Sequence, residues 1–454
     1  MKILVILTFL ISAATAPAQP TTKPNVLFIC IDDLRPELPS FGKDYIQAPN
    51  IEKLFSEGRL FKRHYVHAPT CGASRFAMLT SLYPDGKGQL GNGYIPRHDH
   101  ANQPTIPAHF RKNGYHTAAV GKVSHYPGNL TGQNWGDKNK PEIPNAWDSC
   151  PQTNGEWKTA EGLMHGYANG VTRAKGAARK KRPAAVIEAK DARYPDDAIM
   201  DGFKEQFKLV SDQDKPWFLA VGLLRPHLPF ACNTKYLDLY KDTTLPVIPA
   251  NTKPKNGDFW HSSGEYFQYK QAADPREDSA HADLVRKHYA ACVSSSDAHV
   301  GTILDLLKQT GADKNTIVIL WGDHGWHLGE HKIWGKHSPY AVALHSPLCI
   351  KLPTTAKAGV SSDEIVESLD LYPTLCDLVD IDKPAHLEGK SLIEIINDPT
   401  KKSDGEAISF WKDLKSIITA DEHKITNRKT GKLQQHYNLK SDPHETNNLV
   451  TPNK

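Results

Sequence analysis

Asn25-Val-Leu-Phe-Ile-Cys-Ile31-Asp32-Asp33 carries six consecutive apolar side chains, Val26 to Ile31, and ends in two carboxylates. A continuous apolar run, rather than an alternating one, is the pattern of a parallel strand buried on both faces. Trp217 to Leu223 and Thr316 to Leu320 repeat it, and Thr117 to Val120 is a shorter version. Helical patterns lie between them at Ile51 to Gly58, Ile106 to Asn113, from Tyr194-Pro195 to about Val210, and His281 to Gln309. Strands alternating with helices predict an α/β fold. In such sheets ligands sit at the carboxyl ends of the strands. Adjacent carboxylates at that place repel unless a cation or hydrogen-bond donors neutralise them, and hard oxygen ligands point to calcium or magnesium. The alternative is that one aspartate caps a turn.

The segments after the other strands also carry chemistry. Arg59 to His67, an extended stretch, leads into Pro69-Thr-Cys71-Gly-Ala73-Ser-Arg75. With a helix expected over Ser74 to Leu82, Cys71 and Arg75 share one side of its first turn, the end that favours an anion. Alone, these residues read equally well as a small buried cysteine near a surface arginine. Thr117 to Val120 delivers Gly121-Lys122-Val-Ser-His125, and Trp217 to Leu223 delivers Arg225-Pro-His227-Leu-Pro-Phe230, where two prolines fix the backbone around an imidazole. Thr316 to Leu320 ends in Gly322-Asp323-His324-Gly325, followed by Trp334-Gly-Lys336-His337. The Gly- and Pro-rich stretch from Tyr83 to Gln103 is a loop whose Arg97-His98-Asp99-His100 cluster either lines a substrate cleft or is solvated. Residues 126–195 read as a loop-rich insertion, and Arg173 to Arg182 holds six basic residues in ten, a solvated run or a contact for an acidic polymer.

Cys71-x-Ala73-x-Arg75 followed by Leu79-Thr-Ser-Leu-Tyr-Pro84 resembles the signature of the sulfatase family. Gly-Lys122-x-x-His125, Arg-Pro-His227-x-Pro-Phe, Asp323-His324 and the closing Tyr437-Asn-Leu…Asp442-Pro…Asn448-Leu are similar to family elements in the same order, so the resemblance spans about residues 24–450. Several are closest to iduronate-2-sulfatase-like members. The resemblance implies an alkaline-phosphatase-like fold: a large mixed, mostly parallel sheet flanked by helices, plus a smaller C-terminal antiparallel sheet with a helix. It implies that Cys71 is oxidised to formylglycine, whose hydrate attacks sulfur and later expels sulfate by losing its second hydroxyl proton. Asp32, Asp33, Asp323 and His324, with the modified Cys71, would hold one calcium, although histidine is unusual on calcium by hard-ligand logic. Arg75 would stabilise the hydrate beside Lys122. His125 would be the base for elimination, and His227 and Lys336 would bind the sulfonyl oxygens and assist the leaving oxygen. Lys122, His227, Lys336 and Arg97 form the expected substrate-binding set, with Lys412 or the insertion as further cations for an acidic sugar. The family's usual pattern has proline where this chain has Ala73, which leaves either a formylglycine-generating or an anaerobic sulfatase-maturating enzyme as partner. The expected substrate is a sulfated polysaccharide or oligosaccharide, best a 2-O-sulfated uronic acid. A phosphate or phosphonate ester hydrolase of the same superfamily and a non-catalytic sulfated-glycan binder are the alternatives.

Composition bounds these expectations. The chain has 454 residues and a formal net charge of +4, too small a basic excess to imply nucleic acid. Lys2, the apolar run Ile3 to Ile11 and the small residues up to Ala18 read as a signal peptide, residues 1–18, so a periplasmic or secreted protein is expected. That apolar run is too short to span a bilayer as a permanent helix, and no later stretch is long and apolar enough either. Seven cysteines leave at least one unpaired, with Cys30, Cys292 and Cys349 in apolar segments suited to core packing. A catalytic domain over 19–396 is expected, and from about Ala407 alternating strands with a Lys429-Thr-Gly-Lys432 hairpin signal mark a subdomain over 397–454.

Overall fold

The apolar runs form strands because a buried sheet presents both faces to apolar layers. The computed structural model describes residues 23–131, 140–153, 155–173, 185–256, 260–403 and 405–450. The expected signal peptide with its Ala18 cleavage site, and all but Arg173 of the basic run, lie outside the described residues. In chain order the large sheet takes β1 (Asn25–Ile31), β2 (Arg59–Tyr65), β3 (His116–Gly121), β4 (Trp217–Leu223), β5 (Thr316–Gly322), β6 (Leu348–Lys351) and β7 (Ser362–Glu367). Across the sheet they stand β7-β2-β6-β5-β1-β4-β3. Only β6 runs against its neighbours β2 and β5; the other pairings are parallel.

β1 explains why the pattern is continuous. Leu27, Ile29 and Ile31 face one apolar layer with Ile199, Phe203, Val285 and Tyr289. Val26, Phe28 and Cys30 face the other, with Phe76, Phe110 and Leu371. The layers are supplied by α1 (Pro49–Glu57), α2 (Cys71–Thr80), α3 (Ile106–Lys112), α4 (Ala160–Met164), α5 (Pro195–Ser211), α6 (Ser279–Thr310), α7 (Leu371–Leu378) and α8 (Ile393–Asn397). α2 starts three residues before the expected Ser74, because extended Thr70 (φ −155°, ψ 137°) releases the chain into the helix at once. It stops at Ser81, whose left-handed backbone (φ 55°, ψ 36°) breaks the ladder. β7 was not anticipated; three of its six residues are acidic, and it lies at the sheet edge. The cysteines are unpaired, and all but Cys150 are buried.

Four antiparallel strands follow, β8 (Ala407–Trp411), β9 (Leu414–Ile418), β10 (Glu422–Asn427) and β11 (Leu433–Asn438). Left-handed Lys412 (φ 53°) makes the turn after Trp411 tight, so β9 pairs with β8 from Leu414 onward. The helix expected with this sheet is α8, which precedes it and packs Ile395 and Ile396 into the core of the large sheet; among the described residues 398–450 hold no helix. No helix among the described residues is long and apolar enough to cross a membrane.

Candidate active site

The parallel strands bring their carboxyl ends to one edge, and the sequence segments singled out above leave from there. At the end of β1 the Asp33 amide donates to Asp323 Oδ1 (2.9 Å) and the Asp323 amide donates to the Ile31 carbonyl (3.3 Å), so the two acidic corners are tied to each other. β3 and β4 approach unusually closely. A Cβ on Gly222 would stand 2.1 Å from the Lys122 carbonyl, and Gly121 (φ +73°) would meet the Gly222 carbonyl at 2.2 Å. Only glycines permit this, and the contact aims Lys122 inward through its amide's bond to Gly222 (2.9 Å). The turn after β4 is held by Asp196 on α5, which accepts from the amides of Leu224 (2.6 Å) and Arg225 (3.0 Å). Arg225 in turn donates to the carbonyls of Ala231 (2.9 Å), His227 (3.2 Å) and Gly166 (2.6 Å).

These elements converge on Cys71. Its Sγ lies 3.3 Å from His324 Nε2 and 3.3 Å from Lys336 Nζ. Ligand atoms of Asp32, Asp33, Cys71 and His324 all lie within 4.8 Å of one another. Asp323 lies beside this group, with Oδ1 on the Asp33 amide and Oδ2 on Arg75 Nε (3.1 Å) and Nη2 (3.0 Å). Asp32 bridges Arg75 (3.2 Å) and Lys122 (2.6 Å), while Lys336 spans Asp33 (2.7 Å) and Glu265 (3.0 Å). His227 and His125 face the same cleft, of about 340 Å³.

The charges follow from burial and neighbours. Burial opposes the charge on Asp32, but Lys122 and Arg75 together hold its carboxyl well below the ordinary range. Asp33, next in the chain, is pushed well above that range by burial, with Asp32, Glu265 and Asp323 adding and Lys336 opposing. Asp33 Oδ2 is buried and accepts no hydrogen bond. Four carboxylates (Asp32, Asp33, Asp323, Glu265) meet three cationic side chains (Arg75, Lys122, Lys336), all deeply buried apart from partly exposed Glu265. That acidic excess, the orphaned oxygen and a donor set dominated by carboxylates fit a divalent cation. His324 suits a ligand role, because its Nδ1 donates to the Gly325 carbonyl (3.1 Å) and leaves Nε2 bare towards Cys71. Burial pushes the Cys71 thiol up and the imidazoles of His125, His227 and His324 well down, so the thiol and the imidazoles are neutral. Lys336 stays charged because the Asp33 and Glu265 carboxylates beside it outweigh its burial.

Ten of the eleven expected site residues gather here; Arg97 does not. It is exposed, its guanidinium bonds the Gly93 carbonyl (3.2 Å) and lies over the Tyr94 ring, and it lines no part of the cleft. Glu265, His165 and Tyr269 line the cleft without having been anticipated, and Arg173 lines it too. The first three come from irregular segments with no periodic pattern; the basic run was the one signal for Arg173.

A family model described as "Sulfatase" matches residues 24–381, and one described as "N-sulphoglucosamine sulphohydrolase, C-terminal" matches 329–454. A sulfatase of Formosa agariphila is 30% identical over 455 residues, covering 93% of this chain and 82% of that one. The iduronate 2-sulfatase of Mus musculus is 30% identical over 409 residues, covering 79% and 69%. In fold, a phosphonate monoester hydrolase from Silicibacter pomeroyi superposes with a TM-score of 0.74 at 22% identity, covering 94% and 91%. The first model spans most of a chain whose strand ends converge on a buried cysteine, so the chain belongs to the sulfatase family and is a sulfuric ester hydrolase.

Proposed function

We propose that this sulfatase acts on 2-O-sulfated uronic acid residues of a glycosaminoglycan-type chain, using a formylglycine made from Cys71 and a bound calcium, after export. The observation that carries the reading is the convergence of Asp32, Asp33, His324 and Lys336 on Cys71. The substrate class rests on similarity to the Mus musculus iduronate 2-sulfatase. Asp32, Asp33 and His324, with residue 71, would hold the cation, and Asp323 would orient Asp33 through its amide. Oxidation of residue 71 replaces a soft sulfur by hard oxygen, which improves the match to calcium. When present, the hydrated aldehyde supplies the attacking hydroxyl and the cation draws charge from the sulfonyl oxygens.

The other work falls to the chain's own groups. Arg75, fixed by Asp32 and Asp323, places fixed positive charge against residue 71. Lys122 and Lys336 are charged donors for the sulfonyl oxygens. His125 has a neutral ring whose Nδ1 accepts or donates nothing, so it can take a proton from the hydroxyl on residue 71. His227 donates from Nδ1 to the Leu228 carbonyl (2.7 Å), which leaves the Nε2 lone pair for the cleft; there it can take up a proton from water and pass it to the leaving oxygen. The partner for Cys71 is a maturation enzyme acting before the chain folds, because the thiol is only 3% exposed in the folded protein.

The test is the mass of the tryptic peptide His64–Arg75 from active protein. Oxidation lowers it by about 18 mass units. An unmodified thiol in active enzyme overturns the formylglycine route.

A further inference from the structure

We propose that Arg173, with Tyr269 and His165, forms a subsite for a substrate carboxylate, in the same cleft as the sulfate pocket and beyond it. Three lysine or arginine side chains line the cleft among the described residues, and two are committed at the sulfate end: Lys122 to Asp32, Lys336 to Asp33 and Glu265. The third is Arg173, on the insertion. Its guanidinium lies over the Tyr269 ring, 5.4 Å from the centroid. Its polar contacts are long: 3.4 Å to Glu161 and 3.5 Å to the Tyr269 hydroxyl. A guanidinium has five N–H donors in a planar fork, so most remain for a ligand while the stacking holds the plane in place.

The spacing comes from the rings between. His227, at the sulfate end, packs against His165 with centroids 5.2 Å apart. His165 bonds the Tyr269 hydroxyl through Nδ1 (2.8 Å), and Tyr269 carries Arg173. One imidazole and one phenol therefore lie between the sulfate end and the guanidinium, in successive steps of 5.2, 6.5 and 5.4 Å. A fork of parallel N–H donors matches a planar carboxylate in a bidentate way, which a lysine cannot do. The Glu161 pair is partly in solvent, with side chains 23% and 30% exposed, and yields readily to a better-placed anion.

This subsite rests on the sulfated-uronide reading. The experiment compares kcat/KM for a 2-O-sulfated uronide and its carboxyl-reduced counterpart, using matured full-length wild type, Arg173→Ala and Arg173→Lys. The wild type should favour the uronide by about ten- to hundredfold, mostly through KM. Arg173→Ala should bring the ratio near one by losing the uronide alone, and Arg173→Lys should fall between. Equal kcat/KM for the two esters in the wild type overturns the subsite and leaves the uronide reading standing. Sulfate release from neutral sugars only overturns both. Equal loss of both esters in Arg173→Ala makes Arg173 a structural residue and also overturns the subsite. If the alanine variant does not fold, the wild-type ratio and the lysine variant still decide.

Discussion

Glu142 is completely buried beneath the loop that carries His125. Its Oε2 accepts from the Ser124 hydroxyl (2.7 Å) and the Tyr126 amide (2.9 Å), and its Oε1 accepts from the His125 amide (3.3 Å). Burial nevertheless wins and pushes its carboxyl from 4.5 up to about 7. Unfolded chains release this proton near 4.5, whereas the folded protein keeps it to about 7. Between those values the folded state binds the extra proton, so the group's contribution is complete at low pH. It falls as pH rises through the window, by roughly 3 kcal/mol. Glu142→Gln cannot titrate. Its denaturation midpoint, measured against pH, should lack this downward slope, and curves parallel to wild type would show that Glu142 does not titrate there. No sequence pattern pointed to Glu142, nor to Glu265 or His165, because their burial is imposed by segments far away in the chain. Asp32, Lys122 and Asp323 were legible because each follows directly on an apolar strand. Arg97 was misplaced for a local reason: His98 and His100 turn inward to the carbonyls of Gln103 (2.9 Å) and Ile95 (2.8 Å), which leaves the arginine outside.

Between elements, the site depends on how a strand end is finished. Tyr194-Pro195 was readable as a helix start, and Asp197 duly caps the Tyr194 amide (2.7 Å). The neighbouring Asp196 has a different partner: it crosses to the turn after β4 and takes both the Leu224 and Arg225 amides. That contact fixes the stretch from which His227 enters the cleft, and no i,i+3 rule could reveal it. Replacing Asp196 by alanine strips two buried N–H groups of their acceptor, which costs about 2–4 kcal/mol. Asp196→Asn keeps one acceptor and should lose about half as much. The urea midpoint gives both values, and a loss below about 0.5 kcal/mol for alanine, the level of an ordinary surface change, would show that the turn holds itself. The same scale explains why the strands were legible while β7 was not. An interior strand shows its burial as an unbroken apolar run, but Ser362–Glu367 is an edge strand whose acids find partners elsewhere, such as Glu367 with the Ile408 amide (2.6 Å) and the Tyr83 hydroxyl (2.8 Å).

For the whole molecule, the question is whether the C-terminal sheet is a separate unit. Its sequence pattern suggested a subdomain, yet its apolar side chains make no core of their own. Ala407 and Ile418 pack with Tyr65, Leu344 and Ile365 of the main body, and Leu414, Ile425 and Tyr437 pack with Ile333 and Tyr340. The Phe410 amide donates to the His67 carbonyl (2.8 Å), four residues before Cys71, and Trp411 stacks on His337, beside Lys336 (centroids 5.2 Å apart, planes 25° apart). Four strands with one shared face and one solvated face cannot offset their own ordering entropy. The sheet should therefore melt with the active site rather than before it. Thermal unfolding followed by tryptophan fluorescence, far-ultraviolet circular dichroism and residual sulfate release should give one coincident transition. Trp411 lies in the small sheet and Trp321 in the large one, so fluorescence reports on both. An early transition that removes strand signal and leaves activity intact would make residues 398–450 an independent domain. It would also mean that the Trp411 ring does not hold His337 in place, because that ring would have left while the cleft still worked.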